Sequence, residues 1–381
     1  MNALKKICFI STIPITLNAF VLKAAEYIHE NTDWDISFIC DYDEKFEKSL
    51  PEYIHYIPVP MERGISIAGV KAMLEMKKIF QREKFDLIQY STPNASLYAS
   101  MAGKLAHVPV RLYCQWGLVF VGFQGLKRKI FQMEEKYVCH LSTHIEPDSN
   151  SNLRFAHEIG LYPKSKGSVI WNGSACGVNL TKFDISNKEE YRKDIREQLD
   201  IPEDAFVYGF VGRITRDKGI NELLEAYKKL NDDSYLIMVG RSEVDETINQ
   251  ELYTWASKNE KIKFTGYTTV VEQYLSAMDC YILPSYREGF GMGVVEAEAM
   301  GVPVIVTDIP GPIDAMIDNE TGIVVQKADV ESLYNAMISI REDKVRYFAM
   351  AEKAHDFAVN NFEQKQLFSY ILEDRKKLLG E

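Results

Sequence analysis

The chain has 381 residues, of which 46% are hydrophobic and 26% charged, and it carries a formal net charge of −11. This balance is that of a folded globular protein and excludes collagen-like repeats and intrinsic disorder. No apolar run reaches the roughly 18–20 residues of a membrane-spanning helix, and the acidic charge disfavours a general nucleic-acid binder, which needs basic patches to contact phosphates.

The N-terminal segment resembles a secretion signal only superficially. Lys5 and Lys6 precede an apolar stretch, but Pro14 and Thr16 interrupt it. The segment is better explained as a strand, a loop and the start of a helix. We therefore expect the mature chain to begin at or near Met1.

Short β-rich runs alternate with helical patterns in the first half of the chain. The predicted strands are residues 7–12, 36–41, 87–92 and 110–116, and the predicted helices are residues 18–31, 66–83, 94–107 and 124–140. Apolar strands that alternate with helices are typical of a parallel sheet covered on both faces.

The second half repeats this alternation. Its predicted strands are residues 207–213, 235–240, 262–267, 280–285, 303–308 and 322–326, and its predicted helices lie near residues 219–230, 244–258, 270–278, 292–300 and 329–341. A last helical pattern runs from about Asn361 to Glu381. The sequence thus predicts an α/β protein with two doubly wound sheets, in which ligands bind beyond the carboxyl ends of the strands.

Length and charge both divide the chain in two. A domain usually has about 100–200 residues, which predicts two domains here. Residues 1–175 hold 20 Lys and Arg against 18 Asp and Glu, whereas the rest holds 24 against 37. We place the boundary in the segment 171–179 and predict domains at residues 1–177 and 178–361 with a cleft between them. The terminal helix 362–381 can pack back on the first domain.

Six cysteines are spread along the chain, and no two have the CxxC spacing of a zinc or redox site. Most lie inside apolar runs, which predicts reduced, buried thiols. Such thiols are typical of a reducing cytoplasm.

A basic segment follows the first strand of the second half. The strand runs into Gly212 and Arg213, and Lys218 with Gly219 opens the next helix. Both cations then project from the carboxyl edge of an otherwise acidic half. An anionic ligand such as a diphosphate explains them better than a solvated surface does.

A glycine-rich segment follows a later buried strand of the same half. It places Glu288 before the glycines Gly289, Gly291 and Gly293, and Glu296 within the next helix. Glycines let a ligand approach the backbone, and a helix N-terminus favours phosphate or sugar oxygens. The two carboxylates can accept hydrogen bonds from the hydroxyls of a sugar and a ribose.

Gly-Arg-x4-Lys-Gly at residues 212–219, followed by Glu-x7-Glu at residues 288–296, resembles the retaining glycosyltransferases of family 4. The resemblance covers essentially the whole chain, since 171–184 is similar to the interdomain segment and 107–117 to a turn of the N-terminal domain. It implies the GT-B fold, in which an acceptor-binding and a donor-binding Rossmann-like domain face each other. Enzymes of this family that the chain resembles extend bacterial capsule, exopolysaccharide or O-antigen units.

Carried over position by position, the resemblance implies a donor site and three catalytic residues. The residues implied in catalysis are Arg213, Lys218 and Glu288. The donor-binding residues implied are Gly212, Arg213 and Lys218 for the diphosphate, Glu288, Gly289, Phe290 and Gly291 for the sugar, Glu296 for the ribose, and Gly266, Tyr267 and Thr268 for the base.

Two segments depart from the family pattern in the first domain. Many relatives carry two glycines in the first loop, whereas residues 11–16 contain none, so contacts there would use Thr12, Thr16 and the backbone. Many relatives also have a histidine where this chain has Trp116, next to Gln115. These four residues are our candidates for the acceptor side of the cleft.

The resemblance implies a retaining transfer of a hexose or N-acetylhexosamine from a nucleotide-diphosphate sugar. We expect a UDP-sugar donor, with GDP- and ADP-sugars left open, and a saccharide acceptor linked to polyprenyl diphosphate. The sequence offers no obvious covalent nucleophile and no DxD-type metal motif. We therefore expect no cofactor and no obligatory metal.

The runs 69–84 and 125–138 mix basic and apolar residues. Core-facing helices with a solvated basic face explain them most simply. The alternative is docking on an anionic membrane that carries the acceptor, with Phe120, Phe123 and Leu126 adding apolar contact. The protein would then be cytoplasmic and peripheral at the inner face of the cell membrane.

Other functions explain the motifs less well. A dehydrogenase would need G-x-G-x-x-G after a strand, and the glycines at 289–293 have another spacing. A glycosidase could use paired carboxylates, but Arg213 and Lys218 would then have no purpose. A non-catalytic nucleotide-sugar-binding subunit of a polysaccharide assembly complex remains the main alternative.

Overall fold

Two six-stranded parallel sheets organise the chain in the computed structural model, which describes residues 4–61, 66–243 and 247–381. The chain divides into unit 1, Met1–Cys176 with Lys365–Glu381, and unit 2, Gly177–Gln364. The predicted class, α/β with two doubly wound sheets, is confirmed. The acceptor and donor roles of the two domains, and the cleft between them, stay predictions.

The described part of unit 1 contains the following elements in chain order. Its strands are β1 (Lys6–Ile10), β2 (Asp35–Cys40), β3 (Ile54–Pro58), β4 (Leu87–Tyr90), β5 (Val110–Gln115) and β6 (His144–Pro147). Its first helices are α1 (Pro14–Phe20), α2 (Leu22–Asn31), α3 (Glu44–Ser49), α4 (Ile67–Glu83), α5 (Pro93–Leu105), α6 (Gly125–Leu141) and α7 (Asn150–Glu158).

The strand order in unit 1 is β3-β2-β1-β4-β5-β6, so the direction of winding reverses between β1 and β4. Successive residues of β1 enter different cores. Ile7 and Phe9 pack with α1 and α2, whereas Cys8 and Ile10 pack with α4, α5 and α6. A parallel strand covered by helices on both faces is apolar at every position for this reason. In such sheets the reversal point at the carboxyl edge is the usual ligand site.

The described part of unit 2 has the same architecture. Its strands are β7 (Val207–Val211), β8 (Tyr235–Val239), β9 (Ile262–Gly266), β10 (Cys280–Leu283), β11 (Val304–Thr307) and β12 (Gly322–Val325). Its helices are α8 (Lys188–Gln198), α9 (Ile220–Leu230), α10 (Gln250–Lys258), α11 (Val271–Ser276), α12 (Met292–Ala299), α13 (Val330–Glu342) and α14 (Lys344–Phe362). The strand order is β12-β11-β10-β7-β8-β9, so winding reverses between β10 and β7.

The last helix, α15 (Gln364–Leu378), packs on unit 1. Leu367, Phe368 and Ile371 pack with Ala24 of α2 in one buried cluster. Arg375 is buried and forms two contacts with the Glu146 carboxylate, Nη1–Oε2 at 2.5 Å and Nη2–Oε1 at 3.1 Å. The helix is therefore held by an apolar stripe and a charged anchor.

Several elements differ from the sequence-based prediction. The edge strands β3 and β6 were not predicted, because half-exposed edge strands lack a continuous apolar run. Helices α3, α7, α8 and α14 were also missed. The predicted helix 18–31 is two helices that meet at Val21, and the predicted helix 244–258 begins at Gln250, with 244–246 outside the described residues. None of the helices described is long and apolar enough to cross a bilayer.

Candidate active site

Glu288 lies at the centre of the carboxyl edge of the unit 2 sheet, just beyond β10. Its Oε1 accepts hydrogen bonds from Lys218 Nζ at 2.6 Å and from Ser285 Oγ at 2.6 Å. The Lys218 and Glu288 side chains are mostly buried. Glu288 Oε2 accepts no hydrogen bond from the part of the chain that the structure describes. The carboxylate is thus oriented through one oxygen while the other can accept a bond from a ligand.

The loops after β7 and β10 bring Lys218 and Glu288 together by close backbone contact. Gly219 has φ +73°, and a Cβ there would lie 1.9 Å from the carbonyl oxygen of Pro284. Ser285 is anchored in turn, because Thr307 Oγ1 donates to its carbonyl oxygen at 2.6 Å. Only glycine fits this crossing, so the Lys-Gly pair of the motif has a steric cause.

Arg213 follows β7 at the same edge and is half exposed. Its Nη1 donates to Glu243 Oε2 at 2.9 Å, an exposed ion pair of small energetic value. The guanidinium can therefore exchange this partner for an anionic ligand at little cost. Arg216, in contrast, is occupied by Glu222 and by the hydroxyl of Tyr286.

The turn before α12 supplies backbone rather than side chains. Gly291 has φ +89° and caps the helix, and the Phe290 side chain is buried against Phe362 with ring centroids 5.2 Å apart. The positive end of the helix dipole at this turn favours negative charge. The N-terminus of α12 and Glu288 thus lie within four residues of each other in the chain.

Glu296 lies on α12, eight residues after Glu288. Burial raises its pKa to about 7, against a smaller lowering by Lys182 and a further rise from Glu272. Lys182 Nζ lies 3.4 Å from Glu272 Oε2 and donates to the carbonyl of Thr269 at 2.9 Å. Glu296 is therefore only partly ionised at neutral pH.

Three glycines at the ends of β7, β8 and β9 form a side-chain-free surface. Gly212 donates its N–H to the Val239 carbonyl at 2.9 Å, and Gly240 donates to the Gly266 carbonyl at 2.8 Å. A Cβ on Gly240 would lie 1.8 Å from the Gly212 carbonyl oxygen. The ends of these three strands can therefore lie this close together only because the residues there have no side chains.

Arg241 and Tyr267 border these glycines. The Tyr267 side chain is 61% exposed, and the Arg241 guanidinium lies 5.0 Å from its ring centroid. Thr268 continues the loop, where its hydroxyl accepts the N–H of Val270 at 3.1 Å. The sequence-based prediction missed Arg241, although it follows β8 by the same two-residue offset at which Arg213 follows β7.

In unit 1, Thr12 lies at the reversal point between β1 and β4. Its Oγ1 lies 2.8 Å from Thr92 Oγ1, and its N–H donates to the same hydroxyl at 3.1 Å. Thr92 has φ +67°, a strained conformation for a β-branched residue. Thr16 lies in the first turn of α1, where its N–H donates to the carbonyl oxygen of Ile13. Sequence reasoning missed Thr92.

The Gln115 side chain lies in the core of unit 1. It is fully buried; its Nε2 donates to Glu135 Oε1 at 2.5 Å, and its Oε1 accepts from the Tyr162 hydroxyl at 3.2 Å. These contacts hold the end of β5, and the contact between Gln115 and an acceptor stays a prediction. Trp116 is half-buried and packs on Phe20, with ring centroids 5.5 Å apart.

Two family models match the chain, one in each unit. The model of the glycosyl transferases group 1 matches residues 191–363, and the glycosyl transferase 4-like model matches residues 6–146. The first match contains the Lys218, Glu288 and Glu296 positions described above.

Two curated bacterial proteins are similar over most of their length. The capsular polysaccharide biosynthesis glycosyltransferase CapM of Staphylococcus aureus is 30% identical over 306 residues, 78% of this chain and 79% of that protein. The UDP-Gal:alpha-D-GlcNAc-diphosphoundecaprenol alpha-1,3-galactosyltransferase of Escherichia coli is 26% identical over 94% of this chain and 93% of that protein.

The fold also matches solved structures. Sucrose-phosphate synthase from Thermosynechococcus elongatus superposes with a TM-score of 0.80 at 19% identity, covering 99% of both chains. The likeness extends over both units, and at this identity it bears on the fold alone.

Proposed function

The chain belongs to the group 1 glycosyltransferases with a 4-like N-terminal half, and on that premise we propose that it is a retaining hexosyltransferase or N-acetylhexosaminyltransferase of surface polysaccharide biosynthesis. The proposed donor is a UDP-sugar, and the proposed acceptor is a saccharide linked to polyprenyl diphosphate. The single observation that carries the proposal is the Lys218–Glu288 pair beside the N-terminus of α12.

The pair suits a ligand with an anionic part next to a hydroxylated part. Lys218 would contact the diphosphate, while the second oxygen of Glu288 accepts a bond from a donor-sugar hydroxyl. The backbone of Gly289, Phe290 and Gly291 lies beside that carboxylate and would complete the sugar site. Binding the diphosphate and the sugar at the same time needs a fixed distance between the Lys218 ammonium and the Glu288 carboxylate. The close contact between Gly219 and the Pro284 carbonyl fixes that distance.

In the proposed chemistry the bond from the anomeric carbon to the diphosphate oxygen breaks while the acceptor hydroxyl oxygen bonds to that carbon on the same face of the sugar. The proton of the hydroxyl passes to the departing phosphate oxygen. Negative charge then develops on the phosphate oxygen that leaves, and Lys218, Arg213 and the helix dipole stabilise it. No covalent sugar intermediate is part of this scheme. Because two side-chain cations neutralise the diphosphate, we propose that no metal and no further cofactor is obligatory.

The nucleoside would lie on the glycines at the ends of β7, β8 and β9. Glu296 would accept hydrogen bonds from the ribose hydroxyls, and Gly266, Tyr267 and Thr268 would border the base. The choice of UDP is supported by the E. coli relative, whose name specifies UDP-Gal. GDP and ADP stay in the test as competing nucleotides.

The acceptor would bind at the carboxyl edge of unit 1, near Thr12, Thr16, Thr92 and Trp116. The name of the E. coli relative specifies an acceptor on diphosphoundecaprenol, and CapM is named for capsular polysaccharide. A polyprenyl-linked acceptor is embedded in a bilayer, so we propose that the protein works peripherally at the inner face of the cell membrane.

The first test is calorimetric titration of the purified protein with UDP, GDP and ADP. We expect one diphosphate to bind, and Lys218→Ala to weaken binding at least about tenfold through loss of a charge-assisted contact. Lys353→Ala is the matched control, because Lys353 is an exposed cation of unit 2 paired with Glu320. Binding of none of the three would refute the diphosphate site.

The second test is transfer of sugar from the nucleotide sugar that matches the bound diphosphate to a lipid-linked acceptor. We expect product with the anomeric configuration of the donor, read by NMR, and unchanged rates in EDTA. Donor binding without hydrolysis or transfer would favour the non-catalytic subunit instead. An inverted product, or activity lost in EDTA and restored by magnesium, would overturn the proposed mechanism.

A further inference from the structure

Lys182 lies in the segment of unit 2 that precedes α8, and the fold holds its backbone in place. Its N–H donates to the carbonyl oxygen of Asn179 at 3.0 Å, and the next residue, Phe183, is buried in the core of unit 2. The ammonium lies 5.4 Å from the ring centroid of Phe183. The turn at Asn179 and the buried ring therefore fix the point from which the Lys182 side chain extends.

The Lys182 ammonium contacts the loop after β9 and the helix that follows it. Nζ donates to the carbonyl oxygen of Thr269 at 2.9 Å and lies 3.4 Å from Glu272 Oε2, in the first turn of α11. Glu272 is only 6% exposed, and its Oε2 is buried without a hydrogen bond. Lys182 is its one ion-pair partner in the part of the chain that the structure describes. Without this ammonium, the Glu272 carboxylate would be buried with no counter-charge.

Glu296 of α12 forms an acidic pair with Glu272, since α11 and α12 pack against each other. Burial raises the pKa of Glu296 to about 7, the charge of Lys182 lowers it, and the charge of Glu272 raises it further. The Glu296 carboxyl accepts no hydrogen bond from the described residues. Its oxygens are thus left to a ligand, and the single Lys182 ammonium acts on both carboxylates.

The other elements packed against α12 change the charge around Glu296 little. Strand β11 has no titratable side chain. On β10, Tyr281 stays neutral, because burial and two nearby carboxylates raise its pKa well above 10. On α14, the His355 ring bonds to a main-chain carbonyl of α12 at 2.7 Å, and on α12 itself burial raises the pKa of Glu298 well above 4.5. Lys182 is therefore the one described cation whose charge acts on Glu296.

We propose that Lys182 is a positioning residue of the donor site, whose single ammonium holds the loop after β9 and the acidic pair Glu272–Glu296 in the arrangement that a ribose diol requires. The inference rests on the proposed function, in which Glu296 accepts hydrogen bonds from the ribose and Thr268 borders the base. Lys182 acts on the ribose through Glu296 and on the base through the loop that contains Thr269. It does so without touching the donor.

The first test is calorimetric titration of the full chain with a UDP-sugar between pH 6 and pH 9. We expect Lys182→Met to weaken binding at pH 7 at least about threefold, because a nearby opposite charge favours the ionised carboxyl. The loss should shrink at pH 9, where Glu296 ionises without the cation. A lysine that only stabilises the fold would instead lower the affinity equally at every pH.

Two further variants keep the test informative if Lys182→Met folds poorly. Lys182→Arg keeps the charge and should restore most of the affinity at pH 7. Lys182→Met/Glu272→Gln removes the cation together with the carboxylate that repels Glu296, so it should also bind more tightly at pH 7 than Lys182→Met. Failure of both variants to restore binding would contradict the electrostatic part of the inference.

Lys261→Met is the matched control. Lys261 Nζ also donates to a main-chain carbonyl, that of Asp232 at 2.9 Å, and pairs with a carboxylate, Asp233 Oδ1, at 2.8 Å. The Lys261 and Lys182 side chains are 37% and 41% exposed. Lys261 precedes β9, however, and so lies at the amino edge of the sheet. This variant should keep the affinity and the pH dependence of the wild type.

Carbon-13 NMR of the glutamate side chains separates this inference from the proposed function, because it needs no donor. The signal that is missing in Glu296→Gln identifies Glu296, and its titration midpoint should rise by about one pH unit or more in Lys182→Met. An unchanged midpoint, or normal UDP-sugar binding by Lys182→Met at pH 7, would overturn the inference. A midpoint that rises in a protein that binds no UDP-sugar would reject the proposed function and leave the coupling between Lys182 and Glu296 standing.

Discussion

At the scale of single residues, Glu296 links donor binding to pH. Its pKa is raised to about 7 by burial, so the carboxyl gains its charge between pH 6 and pH 8. Ribose hydroxyls donate to the ionised form better than to the neutral form. The dissociation constant of a UDP-sugar should therefore fall up to about tenfold as pH rises across this range.

Isothermal titration at pH 6, 7 and 8 checks this, with a UDP-sugar as ligand because its diphosphate does not titrate there. Glu296→Gln should bind with a constant affinity across the range. The exposed Glu320→Gln serves as control and should keep the pH dependence. An equally steep dependence in Glu296→Gln would assign it to another group.

Glu298 lies two positions after Glu296 on α12, and we expect it to lower the free energy of unfolding of the protein. Its side chain is fully buried, and neither carboxyl oxygen forms a hydrogen bond of normal geometry with a described residue, although the nearby Thr321 hydroxyl lowers its pKa against the larger effect of burial. Burial raises its pKa well above 4.5, so the native state keeps a proton that the unfolded state releases. Stability from this group is therefore lost as pH rises above 4.5.

We expect Glu298→Met to raise the melting temperature, and to raise it more at pH 8 than at pH 5. Removing a buried polar group that lacks hydrogen-bond partners raises the free energy of unfolding by about 1–3 kcal/mol. Thermal unfolding followed by circular dichroism at both pH values measures the effect. Glu342→Met, on the exposed side of α13, is the control and should change little. A destabilised Glu298→Met would reveal a polar partner of that carboxyl.

At the scale of elements, the crossing of the loops after β7 and β10 depends on Gly219. Gly219→Ala would combine an unfavourable positive φ with a Cβ 1.9 Å from the Pro284 carbonyl oxygen. We expect the free energy of unfolding to fall by about 3 kcal/mol or more and UDP binding to weaken. Urea unfolding and calorimetry measure the two effects.

The matched control for this prediction is Gly160→Ala. Gly160 also has positive φ, +65°, but no described atom lies within 4 Å of the added Cβ. The free energy of unfolding of this variant should fall by only about 1–2 kcal/mol. Equal losses in both variants would mean that the backbone conformation, and not the crossing, explains the glycine.

The strands and the donor motif could be predicted because their causes are local in sequence. Apolar runs buried on both faces identify parallel strands, and parallel strands end at one edge, which is where Lys218 and Glu288 lie. The half-exposed β3 and β6 have no such run. The burial of Gln115 depends on Glu135 and Tyr162, which lie 20 and 47 residues away in the chain.

At the scale of the whole molecule, Arg375 ties the end of the described chain to unit 1. It contacts Glu146 and Gln89, 229 and 286 residues away in sequence. Arg375→Ala would leave the Glu146 carboxylate largely buried without its cation. We expect the free energy of unfolding to fall by about 3–5 kcal/mol. Lys377→Ala, an exposed neighbour on α15, should be close to neutral.

Chemical denaturation and limited proteolysis check the role of Arg375. The variant should become susceptible to cleavage near residue 364 while UDP binding by unit 2 is retained. A variant as stable as Lys377→Ala would show that the apolar residues of α15 hold the helix alone.

The place of α15 also bears on how the protein is made. The ribosome delivers Leu367, Phe368 and Ile371 only after all of unit 2 has been synthesised. Until then the nascent first unit displays the surface around Ala24 that α15 later covers. Unit 2 is contiguous in sequence and can complete its fold first, so the half that is translated first is the half that matures last.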